Sequence, residues 1–188
     1  MTTGYRIDDQ SALYFLTLQV VDWIDIFSRQ RYRDIVVENL QYCQNNKGLQ
    51  VFAFVVMTNH VHLIVNSPLS TLSDTIRDFK KFTSKKIIDS VKEENESRKE
   101  WMLERFRFHA TNTKRNSEHK FWTHDNHAEV LYTNSFIEQK LCYLHNNPVR
   151  AGIVAKPEDY LYSSARNYAG LSSVMDVVLL SMPWKTYN

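Results

Sequence analysis

Two histidines separated by one residue, His60 and His62, are the sharpest chemical feature of the sequence. They open the apolar run His60-Val-His-Leu-Ile-Val65, which reads as a β-strand. Side chains alternate along a strand, so both imidazoles face the same side, about 6.5–7 Å apart along the chain. Two imidazoles so placed can share one metal ion. Two surface histidines on a half-exposed sheet are the alternative, and these residues alone leave it open.

A second feature is a polar face on a helix near the carboxyl-terminal third of the chain. Tyr143 and Asn147 are four residues apart and therefore neighbours on one helical face, and Lys140 lies three residues before the tyrosine. A phenol is a weak nucleophile unless a neighbouring group favours its deprotonated form or takes its proton. Taken alone, a tyrosine on a helix is more often a core or rim residue.

The third feature is positive charge. Arg77, Lys81 and Lys85 follow one another at intervals of four, with Lys80 beside them, and a helix with this stripe can follow a phosphate backbone. Residues 77–120 carry 13 of the 23 basic and 8 of the 21 acidic side chains, so the net charge of +2 conceals a basic segment. A solvated helix face is the plainer alternative.

The elements that must position these residues follow from the pattern of apolar and breaker residues. They are predicted as a strand at Tyr14–Val21, a helix at Arg31–Asn45, strands at Leu49–Met57 and His60–Asn66, a helix at Thr71–Val91, a strand within Phe121–Leu131, and a helix from Ser135 to Asn147 that Pro148 stops. This order predicts an α+β, ferredoxin-like split βαβ fold. Its four- to five-stranded antiparallel sheet should carry the helices on one face.

Length and composition bound the remaining possibilities. The 188 residues are predicted to form a single domain, 1–188, with a charged insertion near 92–120 and a C-terminal extension from about 155. No apolar run reaches the roughly 18 residues of a membrane span. With two distant cysteines and no signal-peptide pattern, we expect a cytoplasmic protein. The absence of a phosphate-binding glycine loop predicts no nucleotide cofactor.

Two stretches together resemble a known family. Val55-Val-Met-Thr-Asn-His-Val-His-Leu-Ile-Val65 resembles the histidine–hydrophobic–histidine strand of IS200-like transposases, the HUH or Y1 tyrosine transposases. Tyr143-Leu-His-Asn-Asn-Pro-Val-Arg-Ala-Gly-Ile-Val154 resembles the helix end of their REP-associated branch. Weaker blocks lie at 79–84, 121–122 and 160–165, so the resemblance spans roughly residues 10–170. Thr58 stands where the family usually has proline, and Tyr162 where it usually has tryptophan.

The resemblance implies a site and a reaction. His60, His62 and Asn147 would bind Mg²⁺ or Mn²⁺, and Tyr143 would attack a DNA phosphodiester to give a 5′-phosphotyrosine link and a free 3′-hydroxyl. The substrates would be single-stranded DNA hairpins such as repetitive extragenic palindromes, in the bacterial cytoplasm at the nucleoid. Monomer and homodimer both remain open.

Phosphate contacts are our own inference from the basic segments. The predicted DNA-binding residues are Arg77, Lys80, Lys81, Lys85, Arg105, Arg107, Lys114, Arg115 and Arg150. Two other functions stay open: a replication initiator or relaxase of the same histidine-pair superfamily, and a domesticated, non-catalytic single-stranded nucleic-acid-binding protein. The second would typically display aromatic residues on its central strands, whereas this chain displays histidines.

Overall fold

The computed structural model describes residues 6–93, 96–111 and 118–181. Three single turns of 3₁₀ helix accompany the larger elements, at Val21–Trp23, Ile26–Ser28 and Pro157–Asp159. The larger elements, in chain order, are β1 (Tyr14–Gln19), α1 (Gln30–Lys47), β2 (Gln50–Val56), β3 (His60–Asn66), α2 (Leu72–Glu93), α3 (Lys99–Thr111), β4 (Glu129–Val130), α4 (Asn134–Arg150) and α5 (Ala165–Tyr168).

The four strands form one sheet in the order β2-β3-β1-β4, and every neighbouring pair is antiparallel. This is the strand order of the split βαβ arrangement, so the predicted ferredoxin-like fold is confirmed. Outside β2 the described part of the chain adds one isolated bridge, between Val55 and Ser163, in place of a full fifth strand. β3, which carries both histidines, is therefore held between two partners at the centre of the sheet.

The two faces of the sheet bury different side chains because residues alternate along each strand. Leu16, Leu18, Val61 and Leu63 share one face and are fully buried in the main core. We place α1 and α2 on this face, since they pack against each other and their apolar residues belong to the same core. The expectation of helices on one face holds for this pair, whereas α4 lies over the other face, where the histidines are.

α4 differs from its predicted bounds at both ends. The helix begins at Asn134 instead of the predicted Ser135, and Thr133 caps it by accepting a hydrogen bond from the backbone N–H of Phe136. Pro148 lies inside the helix, which continues to Arg150. A proline removes one backbone donor, and here this affects only the last turn of the helix, in which Pro148 is buried. The extra turn brings Arg150 within reach of Tyr143.

The segments that the sequence left least defined are now placed in part. The predicted strand within Phe121–Leu131 is reduced to Glu129–Val130, with an isolated bridge from Trp122 to Val20. The charged insertion near 92–120 contains α3. Near the end of the described chain, Val178 donates a backbone hydrogen bond to Val51 without forming a strand. Among the described helices, none is both long and apolar enough to cross a membrane.

Candidate active site

The two histidines meet on the face of the sheet beneath α4. His60 and His62 pair across the ladder with Gln19 and Thr17 of β1, respectively. Their ring centroids are 4.6 Å apart. The predicted common orientation is therefore observed, and the rings are close enough for nitrogens of both to reach one ion.

His62 is almost completely enclosed, with 4% of its surface exposed. Phe15 stacks on its ring at 5.1 Å, and Thr17 Oγ1 lies 2.9 Å from its Nδ1. Burial, with smaller contributions from His60 and Lys140, lowers the pKa of His62 to about 3. The ring is therefore neutral near pH 7. Its buried Nε2 has no hydrogen-bond partner among the described residues.

His60 is held at the start of β3 by its neighbours. Its Nδ1 lies 2.7 Å from Asn59 Oδ1, and its ring meets the indole of Trp23 edge to face at 6.2 Å. Burial lowers the pKa of His60 to about 4. Neutral imidazole is the form that binds metal ions. The site thus presents two neutral rings, one of them with an unsatisfied buried nitrogen, and this donor set fits a divalent metal.

Tyr143 of α4 lies directly against this pair. Its ring is 5.5 Å from that of His62 and 6.0 Å from that of Phe15. It keeps 39% of its surface exposed, so a macromolecular substrate can reach it. The Arg150 guanidinium carbon lies 5.4 Å from the ring centroid, which puts a positive charge beside the tyrosine.

Asn147 lies one turn along α4 from the tyrosine, as predicted. Its Nδ2 donates to the Tyr143 carbonyl oxygen at 3.4 Å, and its Oδ1 is the atom that a cation would use. Within the described ranges no cluster of three or more His, Cys, Asp or Glu side chains can hold a metal ion. Any further ligand that the described residues offered would therefore be of another type, and Asn147 stays our predicted one.

The three α2 lysines of the predicted DNA-binding set differ in whether their side chains contact the rest of the fold. Lys80 does not extend freely into solvent: its Nζ donates to the Thr123 carbonyl oxygen at 2.8 Å and to Asn126 Oδ1 at 2.7 Å, which ties down the loop beside β1. Lys81 and Lys85 are exposed. Their phosphate contacts remain a prediction.

The predicted arginines are mostly engaged with carboxylates. Arg77 pairs with Asp74 at 2.5 Å, and Arg107 lies 3.7 Å from Glu118. Arg105 Nε donates to Asp22 Oδ2 at 2.6 Å. Lys114 and Arg115 lie outside the described residues. Of the described residues in the predicted DNA-binding set, Arg150 is the one that contacts the tyrosine.

Sequence reasoning did not identify three residues that surround the histidines. Phe15 and Thr17 reach the site because β1 pairs with β3 in one particular register, and Trp23 reaches it from the turn that follows β1, where Asn59 bonds its carbonyl oxygen. The alternation of β1 could have shown that Phe15 and Thr17 share a face, but not which partner they meet. His145, also on α4, bonds through Nε2 to Ser164 Oγ at 2.9 Å and so fastens α4 to the segment beside β2.

The fold and the site together define a class: a ferredoxin-like domain with a histidine pair on a central strand and a tyrosine on a helix above it. A family model described as "Transposase IS200 like" matches residues 24–137. The chain belongs to the IS200-like transposase family. This match includes both histidines and ends before Tyr143.

A solved structure gives an independent likeness in fold. It is described as "Structure of the REP associates tyrosine transposase bound to a REP hairpin", and it superposes with a TM-score of 0.62 at 18% identity, covering 100% of each chain. A search of curated protein sequences gives no match.

Proposed function

We propose that this protein is a metal-dependent transposase and endonuclease of single-stranded DNA that cleaves and rejoins hairpin elements through a 5′-phosphotyrosine intermediate. The observation that carries the proposal is the contact of the Tyr143 ring with His62, whose buried Nε2 lacks a partner among the described residues. A nucleophile candidate and a metal-ligand candidate are thus adjacent on a surface open to substrate.

His60, His62 and Asn147 would hold the divalent ion. Two imidazoles and an amide oxygen suit Mn²⁺ better than Mg²⁺, which prefers an all-oxygen shell. When bound, the ion supplies polarisation of a phosphoryl oxygen. The protein contributes the rest: Thr17 and Asn59 orient the rings, and Phe15 shields His62 from water.

The reaction is an exchange of one phosphodiester for another. The Tyr143 oxygen attacks phosphorus, an O–P bond to tyrosine forms, and the bond from phosphorus to the 3′-oxygen breaks. The phenol proton passes to solvent, and the leaving 3′-oxygen takes one from solvent. Because the ester bond is conserved, the reverse attack by a 3′-hydroxyl rejoins DNA without a nucleotide cofactor. Arg150 stabilises the negative charge that develops on the phosphate.

Hairpin DNA is the substrate we propose, because the structural neighbour, similar over its whole length, is described as bound to a REP hairpin. The exposed Lys81 and Lys85 supply phosphate contacts in this proposal.

The test is a covalent-adduct assay with a single-stranded hairpin and Mn²⁺. A label at the 3′ end should remain on the protein under denaturing conditions, whereas a label at the 5′ end should be released. Tyr143→Phe should abolish the adduct. Tyr132→Phe is the matched control, since Tyr132 is 82% exposed and makes none of the contacts of the site. An adduct of undiminished yield with Tyr143→Phe would refute the assignment of the nucleophile.

The metal requires a separate test. His60→Ala combined with His62→Ala should abolish cleavage and leave hairpin binding largely unchanged, because binding depends on phosphate contacts elsewhere. Cleavage by wild-type protein at the same rate in excess chelator would refute the metal model.

A further inference from the structure

Trp23 occupies an unfavourable backbone conformation while exposing its side chain. Asp22 and Trp23 have φ of 53° and 55°, in the left-handed region that bulky residues rarely adopt. The indole is nevertheless 59% exposed, so burial of apolar surface does not compensate for the strain. Strain of this kind costs about 1–3 kcal/mol and concentrates at functional sites.

Three side chains hold this turn in place. From α3, Arg105 Nε and His109 Nε2 each lie 2.6 Å from an oxygen of the Asp22 carboxylate. From the β2–β3 turn, Asn59 Nδ2 donates to the Trp23 carbonyl oxygen at 3.3 Å. Asn59 is also the partner of His60, so the same residue contacts the Trp23 backbone and the His60 imidazole.

The indole and the nucleophile lie at opposite ends of a chain of ring contacts. Trp23 meets His60 at 6.2 Å, His60 meets His62 at 4.6 Å, and His62 meets Tyr143 at 5.5 Å. A phosphate that lies over the histidines therefore has the tyrosine on one side and the indole on the other. The indole is 6.2 Å from the His60 ring, so a base joined through its sugar to that phosphate can reach the indole.

We propose that Trp23 is a stacking platform for one unpaired base, that of the nucleotide whose 3′-oxygen is the leaving group. The inference rests on the proposed function. In-line attack by Tyr143 expels the 3′-oxygen on the side away from the tyrosine, which is the side of His60 and Trp23. Stacking there needs no particular base, since every base has a π-face. It retains the released 3′-hydroxyl strand for rejoining.

The test measures binding without cleavage, in the Tyr143→Phe background, to a hairpin with a single-stranded 5′ flank. Trp23→Ala should weaken binding about ten-fold, and Trp23→Phe should keep most of the affinity. Single abasic sites placed in turn along the 5′ flank should weaken binding by the same factor at one position only. With that abasic hairpin, Trp23→Ala should cause no further loss of affinity. Trp101→Ala is the control, because Trp101 is 47% exposed on α3. Additive losses at every position would overturn the proposal.

Trp23→Gly separates the stacking role from a purely structural role of Trp23. Glycine adopts positive φ without strain, so the proposal predicts a thermal midpoint at least equal to that of the parent, together with the ten-fold weaker binding. If DNA affinity were unchanged in Trp23→Gly, the stacking proposal would be wrong.

The adduct assay separates the two proposals. A covalent adduct without coupling between Trp23 and any flank base refutes the stacking platform alone. Coupling at one flank position without an adduct refutes the cleavage proposal and leaves the base-binding role standing, without its link to the leaving strand.

Discussion

The hydrogen bond between Thr17 and His62 offers the sharpest test of the proposed metal site. If His62 binds an ion through Nε2, its Nδ1 carries the proton and donates to Thr17 Oγ1, 2.9 Å away. Thr17→Val keeps the shape of the side chain and removes the acceptor. The proton on His62 Nδ1 then has no hydrogen-bond acceptor, and His62 is only 4% exposed.

The magnitude follows from two effects. An unsatisfied buried polar group costs about 1–3 kcal/mol of folding stability. Loss of the partner that orients a metal-binding histidine typically lowers metal affinity by about 10–100-fold. At a Mn²⁺ concentration a hundred times the wild-type Kd, a ten-fold loss reduces the stabilisation by metal from about 2.7 to about 1.4 kcal/mol. In a domain of this size that is about 3–5 °C in the metal-induced shift of the thermal midpoint.

The assay compares thermal unfolding with and without Mn²⁺, together with direct titration of Mn²⁺. Thr17→Ser should behave like wild type because it retains the hydroxyl, and His62→Ala should show the largest loss. Equal Mn²⁺ affinity in wild type and Thr17→Val would refute the reasoning, because the hydrogen bond from His62 to Thr17 would then contribute nothing to metal binding.

Three further predictions concern residues around the site and the core. Lys80→Ala should lower the thermal midpoint because it releases the loop at 123–126, whereas Lys81→Ala should leave the midpoint unchanged and reduce the salt dependence of DNA binding by about one charge. Gly48→Ala should destabilise the fold by more than about 1 kcal/mol, since φ is +65° and the new Cβ would lie 2.5 Å from Leu69 Cδ1; an unchanged urea midpoint would contradict this. Ser164→Ala removes a hydroxyl bonded to the backbone of β2 and to an imidazole of α4, so the adduct yield and the midpoint should both fall; a fall in neither would mean that this hydroxyl does not anchor α4.

Local pattern was sufficient for the elements and for the shared face of the two histidines. The bounds of β3 are those predicted, and α1 ends before Gly48, which takes the left-handed conformation typical of helix ends. These features depend on interactions within a few residues: the two-residue period of a strand, the apolar face of a helix, and the freedom of glycine at positive φ. Pro148 shows the limit of such rules, since α4 continues past it to Arg150 and buries the proline.

The chemistry of the site depends on contacts that local pattern does not contain. The sequence by itself determined which residue types were present and that His60 and His62 point the same way. Only the tertiary structure decided that Tyr143 lies on His62, that Thr17 is the partner of Nδ1, and that Lys80 holds a loop. Each of these contacts joins residues more than 40 positions apart. They depend on strand register and helix docking, which the burial of the whole core decides rather than the preferences of any one segment.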